Sequence, residues 1–223
     1  MARSLLFIIV IALSTLSIQA ASVDQSVLLT QSYLNQLESW LGQGPIGLTR
    51  IFYKQSGDGL NSNNFHSAVD GKGRTITVLR ISNLSNQIVG GYNPISWDTH
   101  GHYHTAVNTS AFLFNLTNSA VFYKNTNNMN YETYNASNYG PTFGGGHDLY
   151  VDSTLQSGYG YASYSYGSYQ WSNMNLTPGY ASYTYDRMEV FTIGVEIVPE
   201  PANILFFGLV FVVSFLLRKK SGM

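Results

Sequence analysis

The sequence predicts a mainly β fold of the α+β class, a β-sandwich with a few helices at its edge. Three observations carry this expectation. A single segment near the start has helical spacing, the apolar pattern after it switches to a period of two, and Gly, Asn and Asp clusters punctuate the strand candidates. One helix followed by many short strands is the pattern of a sandwich with peripheral helices, not of alternating βαβ units.

Residues 1–20 read as a signal peptide. Arg3 gives a positive start, Leu5 to Leu13 is an apolar core, and Ala20-Ala21 offers small residues for cleavage. That apolar core is too short to span about 30 Å of hydrocarbon, so a first membrane helix is the weaker reading. Residues 26–41 then place Val27, Leu34, Leu37 and Leu41 at helical spacing, with Ser26 as N-cap and Gly42 just past the end. Strands are expected at Arg50–Lys54, Thr75–Ile81, Ala111–Leu116, Leu149–Val151 and Met188–Ile197, all rich in β-branched and aromatic residues. Gly57-Asp58-Gly59, Gly71-Lys72-Gly73, Gly90-Gly91 and Gly144-Gly145-Gly146 mark turns between them, with Asp58 and Asp70 bonding their own backbone. The expected core is Ile51, Phe65, Ile76, Val78, Phe112, Phe114, Phe143, Leu149, Val190 and Phe191.

Composition narrows the function. The chain has 223 residues, of which 44% are hydrophobic and only 10% charged, with a formal net charge of −1. Residues 21–198 alone hold seven basic and eleven acidic side chains, a net charge of −4. Such a balance excludes a general electrostatic nucleic-acid binder. The absence of cysteine excludes a disulfide scaffold, a thiol nucleophile and a Cys-ligated zinc site.

Six segments in order carry a family resemblance: IFYKQSGDG (51–59), NFHSAVDGKGRTITVLR (64–80), VGGYNPISW (89–97), AFLFNLTN (111–118), YGPTFGGGHDLYV (139–151) and RMEVFTIGVE (187–196). Residues 21–197 resemble a TLDc domain, the module of the oxidation-resistance protein family. The resemblance implies a two-sheet antiparallel β-sandwich. Its eukaryotic members are associated with oxidative-stress protection and the vacuolar-type proton pump, both intracellular, so neither partner transfers to an exported chain.

The C-terminal residues 198–223 carry a second resemblance. Pro199-Glu200-Pro201 precedes a predicted transmembrane helix over 202–217, whose apolar run from Ile204 to Leu217 is closed by Arg218, Lys219 and Lys220. The run is only about 21 Å long at 1.5 Å per residue, short for a permanent anchor. Its basic end holds the C-terminus in the cytoplasm. This order is similar to the PEP-CTERM sorting signal of bacteria, which implies cleavage by a membrane-embedded exosortase after passage through the Sec translocon.

Candidate chemistry is sparse. Gly42-Gln43-Gly44-Pro45-Ile46-Gly47 satisfies G-x-G-x-x-G, but it follows a helix and precedes a strand, the reverse of the dinucleotide context, and reads as a loop. His100, His102 and His104 alternate in HGHYH; if extended, they share one face at roughly 6.8 Å and are the candidate metal ligands, with Asp98 nearby. Against that, the stretch reads as a loop of solvated histidines, so no metal and no cofactor are expected and the body should fold without an ion. His66, His147 and Asp148 read as groups that satisfy buried backbone. No G-x-S-x-G, H-E-x-x-H or Walker motif occurs. Residues 159–185 hold eight of the 17 tyrosines and read first as a partly ordered Tyr/Ser/Gly-rich insertion between the last two strands; the functional alternative is an exposed cluster that stacks on sugars or partner proteins.

The expectation is therefore a non-catalytic, exported interaction module. It is membrane-anchored at first, then at the cell surface or extracellular, with a polysaccharide or envelope protein as partner. Two alternatives are open. An envelope hydrolase acting on polysaccharide or peptide would need a carboxylate pair from Asp58, Asp70, Asp98, Asp148 and Asp152. A protective role in oxidative stress would rest on only five methionines.

Overall fold

A computed structural model of the chain describes residues 22–105, 111–126, 130–161, 164–167, 176–177 and 182–195. The expected signal segment 1–20, the expected sorting segment 198–223 with its helix over 202–217, and much of the Tyr-rich stretch lie outside them. Among the described residues no helix is long and apolar enough to cross a membrane.

The chain runs β1 (Ser22–Asp24), α1 (Gln31–Leu41), β2 (Ile46–Gln55), α2 (Ser62–Val69), β3 (Thr75–Ile81), β4 (Gln87–Asn93), β5 (His100–His104), β6 (Phe112–Asn115), β7 (Ala120–Tyr123), β8 (Thr133–Ala136), β9 (Leu149–Val151), β10 (Ser157–Gly160) and β11 (Ser182–Val195). The fold is mainly β. The main sheet has the order β1-β2-β11-β3-β4-β6-β7, with β9 and β10 branching from β11. β5 and β8 form a two-stranded ribbon, linked to β9 by bridges from Phe143 to Thr133 and Leu149. Apart from β1 against β2, the strand pairings are antiparallel. β11 is the hub: Ser182 to Thr184 pair with β10, and the rest of the strand lies between β2 and β3.

Alternation along the strands feeds a core on each face of the main sheet. Ile76 and Val78 of β3 lie under α1 with Leu34, Leu37, Phe112 and Phe114. Leu79 and Ile81 face the other way, toward α2 and the β9 strand, in a cluster with Phe65, Trp97, Phe143 and Leu149. Nine of the ten expected core residues are buried; Ile51 is half-buried because β2 bulges there, opposite Val190 and Phe191.

The helix starts later than Ser26. Thr30 is the N-cap, accepting from the Tyr33 amide, and Gly42 closes α1 in the left-handed region at φ 64°. Ser26 caps a preceding turn instead: its hydroxyl accepts from the Leu28 and Leu29 amides and donates to Glu189. Val27, expected on the apolar face, is 52% exposed. Fully buried Glu189 also accepts from the Val27 and Leu28 amides and from Arg50, tying this segment to β11. The second correction is Gly90-Gly91, which is not a turn. Both glycines sit inside β4, where a Cβ at Gly90 would lie 1.9 Å from the Thr77 carbonyl oxygen of β3.

Lys54 is a liability in this fold. It is 1% exposed, on the same side of β2 as Phe52, and its ammonium has no hydrogen-bond partner among the described residues. Burial lowers its pKa, only partly opposed by Asp58, Asp152 and Asp186. A lowered folded pKa means that the unfolded chain binds the proton more tightly. Stability therefore rises with pH from the lowered folded value up to the ordinary 10.5. Lys54→Met, which fills similar volume without a charge, is expected to stabilise the domain by about 1–2 kcal/mol at neutral pH. It should also flatten that rise, measured by urea denaturation across alkaline pH.

Candidate functional site

The glycine triplet and the residues after it build a concave feature rich in aromatic side chains. Phe143 is buried, and the chain then turns through Gly144, Gly145 and Gly146 before Asp148 and β9. Gly144 has φ 81° and its position is crowded by Asp148, so no other residue fits. Asp148 is 2% exposed and accepts from three successive amides, those of Tyr164, Ser165 and Tyr166, at 3.1, 2.6 and 3.0 Å. Ser165 answers by accepting from the Gly145 amide at 2.8 Å. Buried Tyr166 donates its hydroxyl to the Glu132 carbonyl at 2.8 Å.

These bonds fix a cavity of about 420 Å³ lined by Tyr103, Tyr131, Tyr161 and Tyr164, with Gly145, Gly146 and Asp148. Tyr103 comes from β5 and meets Tyr131 and Tyr134 edge-on, both at 4.9 Å between ring centroids. His147 lies beside it in the left-handed region at φ 65°. Its ring stacks on Tyr103 and Tyr150 and touches Tyr134 and Tyr139, with centroids 5.4 to 6.4 Å away. Burial among these rings lowers the His147 pKa. Burial likewise raises those of Tyr103 and Tyr150.

The model of the TLDc domain matches residues 22–194. The chain belongs to the TLDc domain family. No curated protein matches its sequence. Within this TLDc domain the match includes both the cavity and the ribbon that carries the histidines, and residues 198–223 fall outside it.

The TLDc fold places the other candidate residues as follows. HGHYH is a strand of the β5-β8 ribbon, not a loop, with Gly101 as a bulge at φ 73°. Asp98 pairs with two of the three histidines: its Oδ1 lies 3.2 Å from His100 Nδ1 and its Oδ2 2.6 Å from His104 Nε2. His66 satisfies buried backbone as expected, facing the Ala136 and Tyr139 carbonyls through Nε2. Asp148 does the same for amides. His147 differs: its Nδ1 is buried with no hydrogen-bond partner among the described residues.

Asp58 bonds its own turn at the Gln55 and Leu60 amides, but Asp70 pairs with His66 Nδ1 at 2.8 Å instead. Asp152 accepts from the Thr154 and Gln156 amides. The G-x-G-x-x-G segment is the turn out of α1 and the first residues of β2. In the Tyr-rich stretch, Tyr166, Tyr183 and Tyr185 are buried core residues and not a stacking surface.

Sequence reasoning missed the cavity because its walls come from four separate segments. The glycine triplet was its visible signal, but Tyr103 and Tyr131 lie outside the Tyr-rich stretch and carry none.

Proposed function

We propose that this chain is an exported, non-catalytic TLDc interaction module that binds polysaccharide in the tyrosine-lined cavity and reaches the cell envelope or matrix through exosortase processing. The cavity carries the reading. Four tyrosines around a backbone floor offer flat apolar faces for sugar rings and hydroxyl tips for sugar oxygens, the combination that small polar ligands need. Against hydrolysis, Asp58, Asp70, Asp98, Asp148 and Asp152 are each engaged by their own local partners, and no pair of them lines this cavity. Export rests on residues 1–20 and 198–223: the apolar segments, the Ala20-Ala21 pair, Pro199-Glu200-Pro201 and the basic end Arg218, Lys219 and Lys220. For the protective alternative, no methionine stands among the described residues that line the cavity.

One preparation tests the reading. The chain is produced in a bacterial host with and without an exosortase, and is run through native gels containing the host's extracted exopolysaccharide. It is expected to be retarded, with Tyr131→Ala and Tyr164→Ala each weakening binding by about fivefold, the worth of one stacked ring. Its mass should span Ala21 to the Pro199–Pro201 motif only where the exosortase is present. Retardation that survives the double substitution overturns the binding site. Chain ending at Met223 in both hosts overturns the sorting reading.

A further inference from the structure

At the start of the β5-β8 ribbon and in the residues before it lies a second cluster that the cavity does not use. Asp98, His100 and His102 bring one ligand atom each to within 4.8 Å of one another. We propose that these three side chains bind a divalent transition-metal ion of the zinc, copper and nickel class.

The donor set suits that class: two borderline imidazole nitrogens outnumber one hard carboxylate, unlike the all-oxygen sets that calcium and magnesium require. The fold prepares it in three ways. Gly101 bulges the strand, leaving the His100 and His102 rings 5.8 Å apart at their centroids and His102 a further 4.8 Å from His104. The Asp98 carboxylate is fixed before any ion arrives, because Oδ1 accepts from the His100 amide at 3.0 Å and Oδ2 faces His104 at 2.6 Å. His104 is thus a positioning residue that acts through Asp98.

The third observation is across the ribbon. His102 pairs with Asn135 and His104 with Thr133, so these four share one side while Tyr103 and Tyr134 share the other. Asn135 and Thr133 are fully buried, yet neither side-chain atom of Asn135 and not the Thr133 hydroxyl has a hydrogen-bond partner among the described residues. Buried polar groups without partners are costly, and they lie on the histidine side. Bonds of about 2.0–2.1 Å to zinc require the ligand atoms to draw closer than they now stand. His100 and His102 are exposed, so no core packing opposes that approach, and His100 Nδ1 already stands 3.2 Å from Asp98 Oδ1.

The untagged full chain should bind one equivalent of Zn²⁺ in competition with a chromophoric chelator, and Cu²⁺ more tightly, in the Irving–Williams order. Electron paramagnetic resonance of the Cu²⁺ form should show coupling to two nitrogens. His102→Ala and Asp98→Asn should each weaken Zn²⁺ at least tenfold with unchanged circular dichroism. Stripping the ion with EDTA should lower the melting temperature by only a few degrees, the mass-action share of a bound ion, because the ligands lie outside both cores. Non-saturating uptake, equal affinity in the His100→Ala/His102→Ala double variant, or a copper spectrum without nitrogen coupling overturns the site. A fall in melting temperature with EDTA that persists undiminished in the His100→Ala/His102→Ala variant also overturns it, placing the metal elsewhere in the chain.

Discussion

Gly90→Ala is expected to cost the domain about 3 kcal/mol or more, enough to leave a marginal fold largely unfolded at 37 °C. The argument is steric and rests on backbone. A Cβ at residue 90 would stand 1.9 Å from the Thr77 carbonyl oxygen and 2.6 Å from the ring of Phe114. The ring can turn; the carbonyl cannot, because β3 is held between β4 and β11. Relief therefore means prising β3 from β4 in the middle of the main sheet. Gly91→Ala is the internal comparison. Its Cβ would meet the Phe143 ring at 2.7 Å and the Leu113 side chain at 2.9 Å, both of which can repack, so about 1–3 kcal/mol is expected. Urea denaturation of the two variants ranks them. A Gly90→Ala protein as stable as Gly91→Ala would mean that the close approach of β3 and β4 is not what that glycine serves.

The same glycine pair shows where the sequence stops being legible. Thr75–Ile81 and Leu149–Val151 were readable to the residue, because runs of Ile, Val and Leu between turn residues have little other use. Gly90 and Gly91 looked like punctuation since the atoms that require them, on Thr77, Phe114 and Phe143, are distant in sequence. α2 was hidden for a related reason. SNNFHSAV has weak helix propensity and only eight residues, and it is held by an Asn61–Asn64 capping box and by Phe65 and Val69 in the core. The histidine strand was missed because HGHYH has no β-branched residue; its order comes from pairing with β8.

For the candidate site the legible part was chemical and the hidden part was spatial. Asp148 beside the glycine triplet was visible as a polar group in an apolar motif. Its partners, sixteen to eighteen residues on, sit in a stretch whose Tyr, Ser and Gly composition has no period. That stretch divides its tyrosines between two tasks: Tyr166, Tyr183 and Tyr185 fill the larger core, and Tyr161 and Tyr164 line the cavity. Composition cannot separate these, since the same side chain serves both.

Asp148→Ala should therefore damage both stability and ligand binding. Its carboxylate satisfies three amides at once, and the amides of Ser165 and Tyr166 are buried with it. Each buried donor left without an acceptor costs about 1–3 kcal/mol, and the three share one acceptor group, so a loss of about 3–5 kcal/mol is expected. Asp148→Asn separates charge from geometry. The amide oxygen can replace Oδ2 opposite Ser165 and Tyr166, but its NH₂ then points a donor at the Tyr164 amide, which needs an acceptor. The Asn variant should thus fall between wild type and Ala in urea. Hydrogen exchange locates the effect: in Asp148→Asn the Tyr164 amide loses protection first, while β3 and β11 exchange as in wild type. Because Tyr164 is a wall of the cavity, polysaccharide retardation should weaken in that variant even where the domain remains folded. If Tyr164 keeps its protection and retardation is unchanged, the cavity wall is not held by Asp148, and the coupling between the glycine turn and the tyrosines is wrong.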